Sequence, residues 1–118
     1  MAKEWIKNLF SKIDRMDSDG FSASLAQNAS FRFANAPAVI GRENIRGAVS
    51  SFFTQIKGLR HRILETWECG NTVICEGEVT YTRHNGSALT LPFVDILRME
   101  AELIADYRIY MDISALFA

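Results

Sequence analysis

Cysteine, histidine and proline are all scarce here, at two residues each in a chain of 118. Cys69 and Cys75 flank a turn and are too few for a disulfide framework or a zinc site. His61 and His84 have no metal-ligand spacing around them. No metal and no cofactor is expected, and a reduced cysteine pair in a cytoplasmic protein is the expectation. Net charge is nearly absent, at −1, which removes any general pull toward nucleic acid or an anionic membrane. The longest basic cluster, Arg60-His61-Arg62, is short. No apolar run reaches transmembrane length. Lys3, Glu4 and Lys7 break up the N-terminal stretch, so a signal-peptide run is not expected there. Linkers, repeats and low-complexity segments are also missing, which predicts a single domain over residues 1–118.

What is abundant is apolar surface. Nearly half the residues are hydrophobic, and 8 are Phe, enough for one substantial core. Trp5, Leu9, Ile13 and Met16, widened by Ile6 and Phe10, recur at helical spacing and predict a first helix ending near Asp17. The Asp17-Ser18-Asp19-Gly20 turn starts a short second helix carrying Phe21 and Leu25 and stopping at Asn28. Ala29–Ala34 reads as a strand, followed by a loop around Pro37. A third helix opens at Gly41-Arg42-Glu43 and buries Ile45, Val49, Phe52, Phe53 and Ile56, with Gly58 as its C-terminal cap.

From Leu59 the period changes to two. Four strands are predicted: Leu59–Cys69, Thr72–His84, Leu89–Met99 and Leu103–Ile113. Turns fall at Gly70-Asn71, Asn85-Gly86 and Glu100–Glu102. The order α-α-β-α-β-β-β-β predicts an α+β fold, with three N-terminal helices packed in a curved, mainly antiparallel sheet. On the second strand, Val73, Cys75, Val79 and Tyr81 share one face, while Ile74, Glu76, Glu78, Thr80 and Thr82 share the other. Simple burial sends Glu76 and Glu78 to water. A wet pocket on the polar face, with the apolar face against a partner subunit, would reverse this for Glu78.

One residue breaks the pattern. Asp95 is the only charge between Leu89 and Leu97, and it shares a face with Phe93, Leu97 and Met99. If that face is buried, the carboxyl pKa rises and suits acid–base work. If it meets solvent or a basic partner, Asp95 is structural. On the last strand Tyr107 lies on the apolar side with Ala105, Ile109, Met111 and Ile113. His84 reads as a turn residue, and Asp112 as a cap or ion-pair residue.

The element order, the GRENIRGAV helix opening, the EGEVTYTRHNG hairpin, LPFVDILRM and the closing IADYRIYMDI together resemble the nuclear transport factor 2-like superfamily. Within it the chain looks most like SnoaL-like proteins, the group of polyketide cyclases, with ketosteroid isomerase and limonene epoxide hydrolase as relatives. The resemblance implies a cystatin-like cone whose bent sheet wraps the helices around an apolar pocket, often dimeric through the outer sheet face. It implies that Phe31, Phe33, Glu78, Thr80, Thr82, Phe93, Asp95, Tyr107, Ile109 and Met111 face that pocket.

Asp95 falls where ketosteroid isomerase holds a protonated aspartate against the developing oxyanion. The isomerase's general base falls near Phe33 and its helix-one tyrosine near Leu9, so steroid isomerisation is not expected. The hydrolase's polar residues correspond to Thr80, Glu78, Ile109, Phe31 and Phe33, so that chemistry is not expected either. The remaining expectation is a small-molecule isomerase, cyclase or dehydratase/hydrolase. It would act on a hydrophobic carbonyl compound, with Asp95 as acid or base, Glu78 sharing its proton and Tyr107 donating a hydrogen bond. The alternative is a non-catalytic ligand-binding or dimerisation module of the same fold.

Overall fold

The periodicities locate most of the elements in the computed structural model, which describes residues 3–117. Helix α1 (Glu4–Asp14) buries Ile6, Leu9 and Phe10, the stripe that its spacing predicts. Helix α2 (Ser18–Ala23) starts at Asp17, whose carboxylate accepts from the Gly20 N–H. Strand β1 runs over Leu25–Phe33, and a two-residue β2 over Val39–Ile40. Helix α3 (Arg42–Thr54) buries Ile45, Val49 and Phe53. Strands β3 (Gly58–Cys69), β4 (Thr72–Thr82), β5 (Ala88–Glu100) and β6 (Leu103–Tyr110) complete the chain.

The strands form one open six-stranded sheet in the order β2-β1-β6-β5-β4-β3. The β1–β6 pairing is parallel, and the others are antiparallel. The expected α+β order holds, with β2 as its one addition. Register shifts at Leu25/Ser30, Ile63/Glu65 and Arg98/Met99 bend the strands, because an extra residue on one side of a ladder forces curvature. At the Ile63 bulge the chains come very close. A Cβ on Gly77 would lie 2.2 Å from the Arg62 carbonyl oxygen, so only glycine fits there.

The strands expected to reach His84 and Ile113 stop at Thr82 and Tyr110, and three further boundaries differ from the sequence reading. The second helix ends at Ala23, not Asn28, because the segment from Leu25 is taken into the sheet: Leu25 pairs with Ile104, and the Ile104 N–H donates to the Ser24 carbonyl. The Pro37 loop contains β2, which pairs Val39 and Ile40 with Phe31 and Ser30. Gly58 does not cap α3; the helix ends at Thr54 with Gln55 as its cap, and Gly58 opens β3 opposite Thr82.

On β4 the face assignment is decisive. Val73, Cys75, Val79 and Tyr81 are all 3% exposed or less and belong to the core. Their alternation puts Glu76, Glu78, Thr80 and Thr82 on the outer face. Val79 and Tyr81 are therefore covered by this chain's own helices, not by a partner subunit. The inward orientation expected for Glu78, Thr80 and Thr82 is incorrect: reversing the strand would expose four core residues and bury a carboxylate.

Candidate active site

The helices and the concave sheet face enclose a cavity of about 220 Å³. Its walls include Phe31, Phe33, Phe93, Ile109 and Met111, with Phe21, Val49, Phe52, Phe53, Val79 and Tyr81 adding apolar surface. Asp95 and Tyr107 reach it from β5 and β6. The sheet carries Asp95 inward because it alternates with Val94 and Ile96, and its neighbours Phe93 and Leu97 are buried on the same face.

Asp95 is 2% exposed. Its Oδ2 accepts a hydrogen bond from the Tyr107 hydroxyl at 3.2 Å. Among the described residues, Oδ1 has no partner. Burial without a cation pushes the carboxyl up to about 8, while the Tyr107 hydrogen bond pulls it the other way. A carboxylic acid with that value is mostly protonated at neutral pH and donates through its O–H. Cys75 lies opposite Asp95 in the β4–β5 register. Burial, reinforced by Asp95, pushes its thiol up to about 12. The Tyr81 and Tyr107 phenols are likewise raised, first by burial and then by Asp95. Both remain neutral hydroxyls.

A second polar group enters from β3. His61 Nδ1 lies 2.6 Å from Asp14 Oδ1, and the His61 backbone N–H donates to the same carboxylate at 3.0 and 3.2 Å. A carboxylate only accepts, so Nδ1 carries a hydrogen and donates it to Asp14, which leaves Nε2 as the ring nitrogen not held by that carboxylate. The ring packs against Phe10 and Phe93, with centroids at 4.9 and 5.3 Å. His61 lines the cavity. Asp14 lies behind it, on a polar groove with Lys7, Ser11, Arg15, Glu65 and Thr66.

Sequence reasoning missed this pair, reading His61 only as part of a basic cluster. The usable signal was its alternation with Leu59 and Ile63, which puts it on an inward face flanked by outward arginines. Asp14 sits four residues after Phe10, on the same face of α1.

The remaining expected residues lie elsewhere. Glu78 is on the outer face, half-exposed, 3.6 Å from Arg62. Thr80 bonds Thr90 across the outer face, and Thr82 follows it on that face. His84 is exposed in its turn, with Nε2 2.9 Å from the Thr54 carbonyl. Asp112 accepts from the Ser114 N–H, which lowers its pKa as a local turn cap. The cavity therefore brings together Asp95, Tyr107, Phe31, Phe33, Phe93, Ile109 and Met111, and leaves out Glu78, Thr80 and Thr82. Among the described residues no group of three His, Cys, Asp or Glu side chains is placed to hold a metal ion. No helix among them is long and apolar enough to cross a membrane.

A bent mixed sheet cupping three helices around an apolar cavity is the nuclear transport factor 2-like fold. Within it the chain belongs to the SnoaL-like domain family, whose profile matches residues 6–107. No curated protein matches the sequence. Solved structures share the fold at low identity. A hypothetical protein with a ketosteroid isomerase-like fold from Catenulispora acidiphila, in complex with trimethylamine, superposes with a TM-score of 0.88 at 17% identity, covering 97% of this chain and 89% of that one. A putative polyketide cyclase from Xanthomonas campestris gives 0.85 at 19%, covering 94% and 90%. An LEH-like epoxide hydrolase from M. tuberculosis gives 0.80 at 13%, covering 95% and 83%.

Proposed function

We propose that this protein is a cofactor-independent acid–base enzyme of the isomerase or cyclase type, acting on a small apolar carbonyl compound. One observation carries the reading: an oriented imidazole and a buried, half-unpartnered carboxyl face the same apolar cavity from different strands. His61 Nε2 is the base and removes a proton from the carbon next to the carbonyl. Asp14 holds the ring and stabilises the imidazolium that forms. Protonated Asp95 donates from Oδ1 to the carbonyl oxygen as it gains charge, and Tyr107 holds the acid from the other side. Two groups with different environments thus divide the acid and base roles. The apolar walls strengthen both interactions by keeping water out.

Glu78, on the outer face, has no part in this scheme.

The test is deuterium exchange at the α-carbon of small aryl ketones in D2O, followed by NMR. His61→Asn should slow enzyme-dependent exchange by roughly 10²–10⁴-fold, the usual worth of a positioned base. Asp14→Asn should slow it less while leaving substrate binding in place. If no ketone exchanges, or His61→Asn exchanges at the parent rate, the catalytic reading fails and a ligand-binding module replaces it.

We further propose a homodimer through the outer sheet face, where Trp67 and Tyr110 are about half exposed, in a reducing cytoplasmic setting that suits two free cysteines. Light scattering of the purified chain checks the dimer; a monomer at micromolar concentration rules it out.

A further inference from the structure

We infer that the cavity selects an uncharged, flat molecule of one or two fused rings with a single polar end, and rejects carboxylates and four-ring ketones. The inference deepens the acid–base reading, resting on it for which end of the molecule reacts. The binding preference stands on the cavity alone.

Charge is the first constraint. Twenty residues line the cavity, and none is Lys or Arg. The only ionisable side chains there are His61, Asp95, Tyr81 and Tyr107. A bound carboxylate would lose its hydration with no guanidinium or ammonium to replace it. The imidazole is already committed to Asp14 through Nδ1, and Asp95 is an acid of the same kind as the incoming group. A neutral carbonyl or hydroxyl has no such cost, and it gives Asp95 Oδ1, the one orphaned buried polar side-chain atom among the described residues, the partner it lacks.

Volume is the second. About 220 Å³ is below the usual range for drug-sized ligands, roughly 300–1,000 Å³. At the packing density of a protein interior it takes about a dozen non-hydrogen atoms. Two fused rings fill it, whereas a four-ring molecule would leave apolar rings beyond the mouth, in water.

Wall shape is the third. Phe52 meets Phe33 and Tyr81 edge-on, at 77° and 83°, and Phe21 meets Tyr107 at 67°. Such pairs leave ring faces and edges turned to the same space, and a planar ring packs against both. The lining also includes exposed Ala36, Pro37 and Ala48, which mark the mouth, whereas Asp95 is buried, so the apolar end of the molecule lies toward the mouth.

Isothermal titration of the whole chain near neutral pH tests this with four probes. Three are bicyclic and of similar size: 2-acetylnaphthalene, 2-naphthoate and 2-naphthylmethylammonium. The fourth is a four-ring oxo-steroid. The neutral ketone should bind at least about tenfold more tightly than either ion, and the steroid should not bind measurably. Ala48→Trp, at an exposed helix position on the cavity wall, should remove ketone binding while circular dichroism stays unchanged. Equal or tighter binding of the naphthoate overturns the inference. Tighter binding of the ammonium also overturns it, by making Asp95 an ionised counter-ion. Ketone binding that survives Ala48→Trp, or strong steroid binding, overturns the size and place. Tight ketone binding without α-carbon exchange leaves the inference standing and removes only the catalytic reading.

Discussion

Replacing Asp95 by Asn should make the protein more stable at alkaline pH while removing its activity. The reason lies in the proton. In the folded chain the Asp95 carboxyl titrates at about 8; the ordinary value is 3.8. Because the folded value is raised, the native state holds a proton that the unfolded chain releases. The contribution of Asp95 is therefore fully favourable below about pH 3.8 and is lost as the pH climbs through about 8. Within that window stability falls by about 1.4 kcal/mol per pH unit, a total of order 5 kcal/mol for a shift of about four units. Asn has the same shape and no titration. Any fixed cost of its amide is the same at every pH and cancels in the slope.

Urea unfolding of both proteins from pH 5 to pH 8 measures the difference. The parent should lose about 4 kcal/mol relative to Asp95→Asn across that interval. For a chain of this size that moves the urea midpoints apart by roughly 2–3 M. Ionisation of every other group is common to both proteins and drops out. Parallel curves would show that Asp95 is already ionised at pH 5 in the native state. The neutral acid at the end of the cavity, and its role as donor to a carbonyl, would then be wrong.

Other outcomes follow from the same structure. Tyr107→Phe removes the hydrogen bond that favours the ionised form of Asp95, so carbon-detected NMR should place the Asp95 titration still higher than in the parent. Gly77→Ala drives a Cβ into the Arg62 carbonyl, at a cost of about 1–3 kcal/mol; thermal unfolding should shift down by roughly 5–15 °C. At pH 8 a thiol reagent should count one cysteine in the native protein and two after denaturation, because Cys69 is exposed while the Cys75 thiol is buried and pushed up to about 12.

The chemistry of the site was only half legible in the chain. Asp95 stood out as the only charge inside a period-two apolar run, and of its two readings, buried or solvated, the fold gives the buried one. The Asp14–His61 pair did not stand out. Its members are 47 residues apart, and nothing local to either marks the other. Glu78 shows the opposite failure. Its own strand pattern pointed to water, the family resemblance pointed to the pocket, and the fold followed the pattern.

The sequence by itself determined most of the elements and their faces: the helical stripes of α1 and α3, four strands with fixed alternation, and hairpin turns at Asn71 and Asn85-Gly86. Local sterics and burial act on neighbouring residues, so their record is written locally. Tertiary structure alone decided where β1 begins, that Val39–Ile40 joins the sheet, and which residues meet in the cavity. Those outcomes depend on the parallel β1–β6 pairing and on the bulges that bend the sheet. Strand partners and curvature come from contacts between distant segments, whose energies no single stretch of sequence carries.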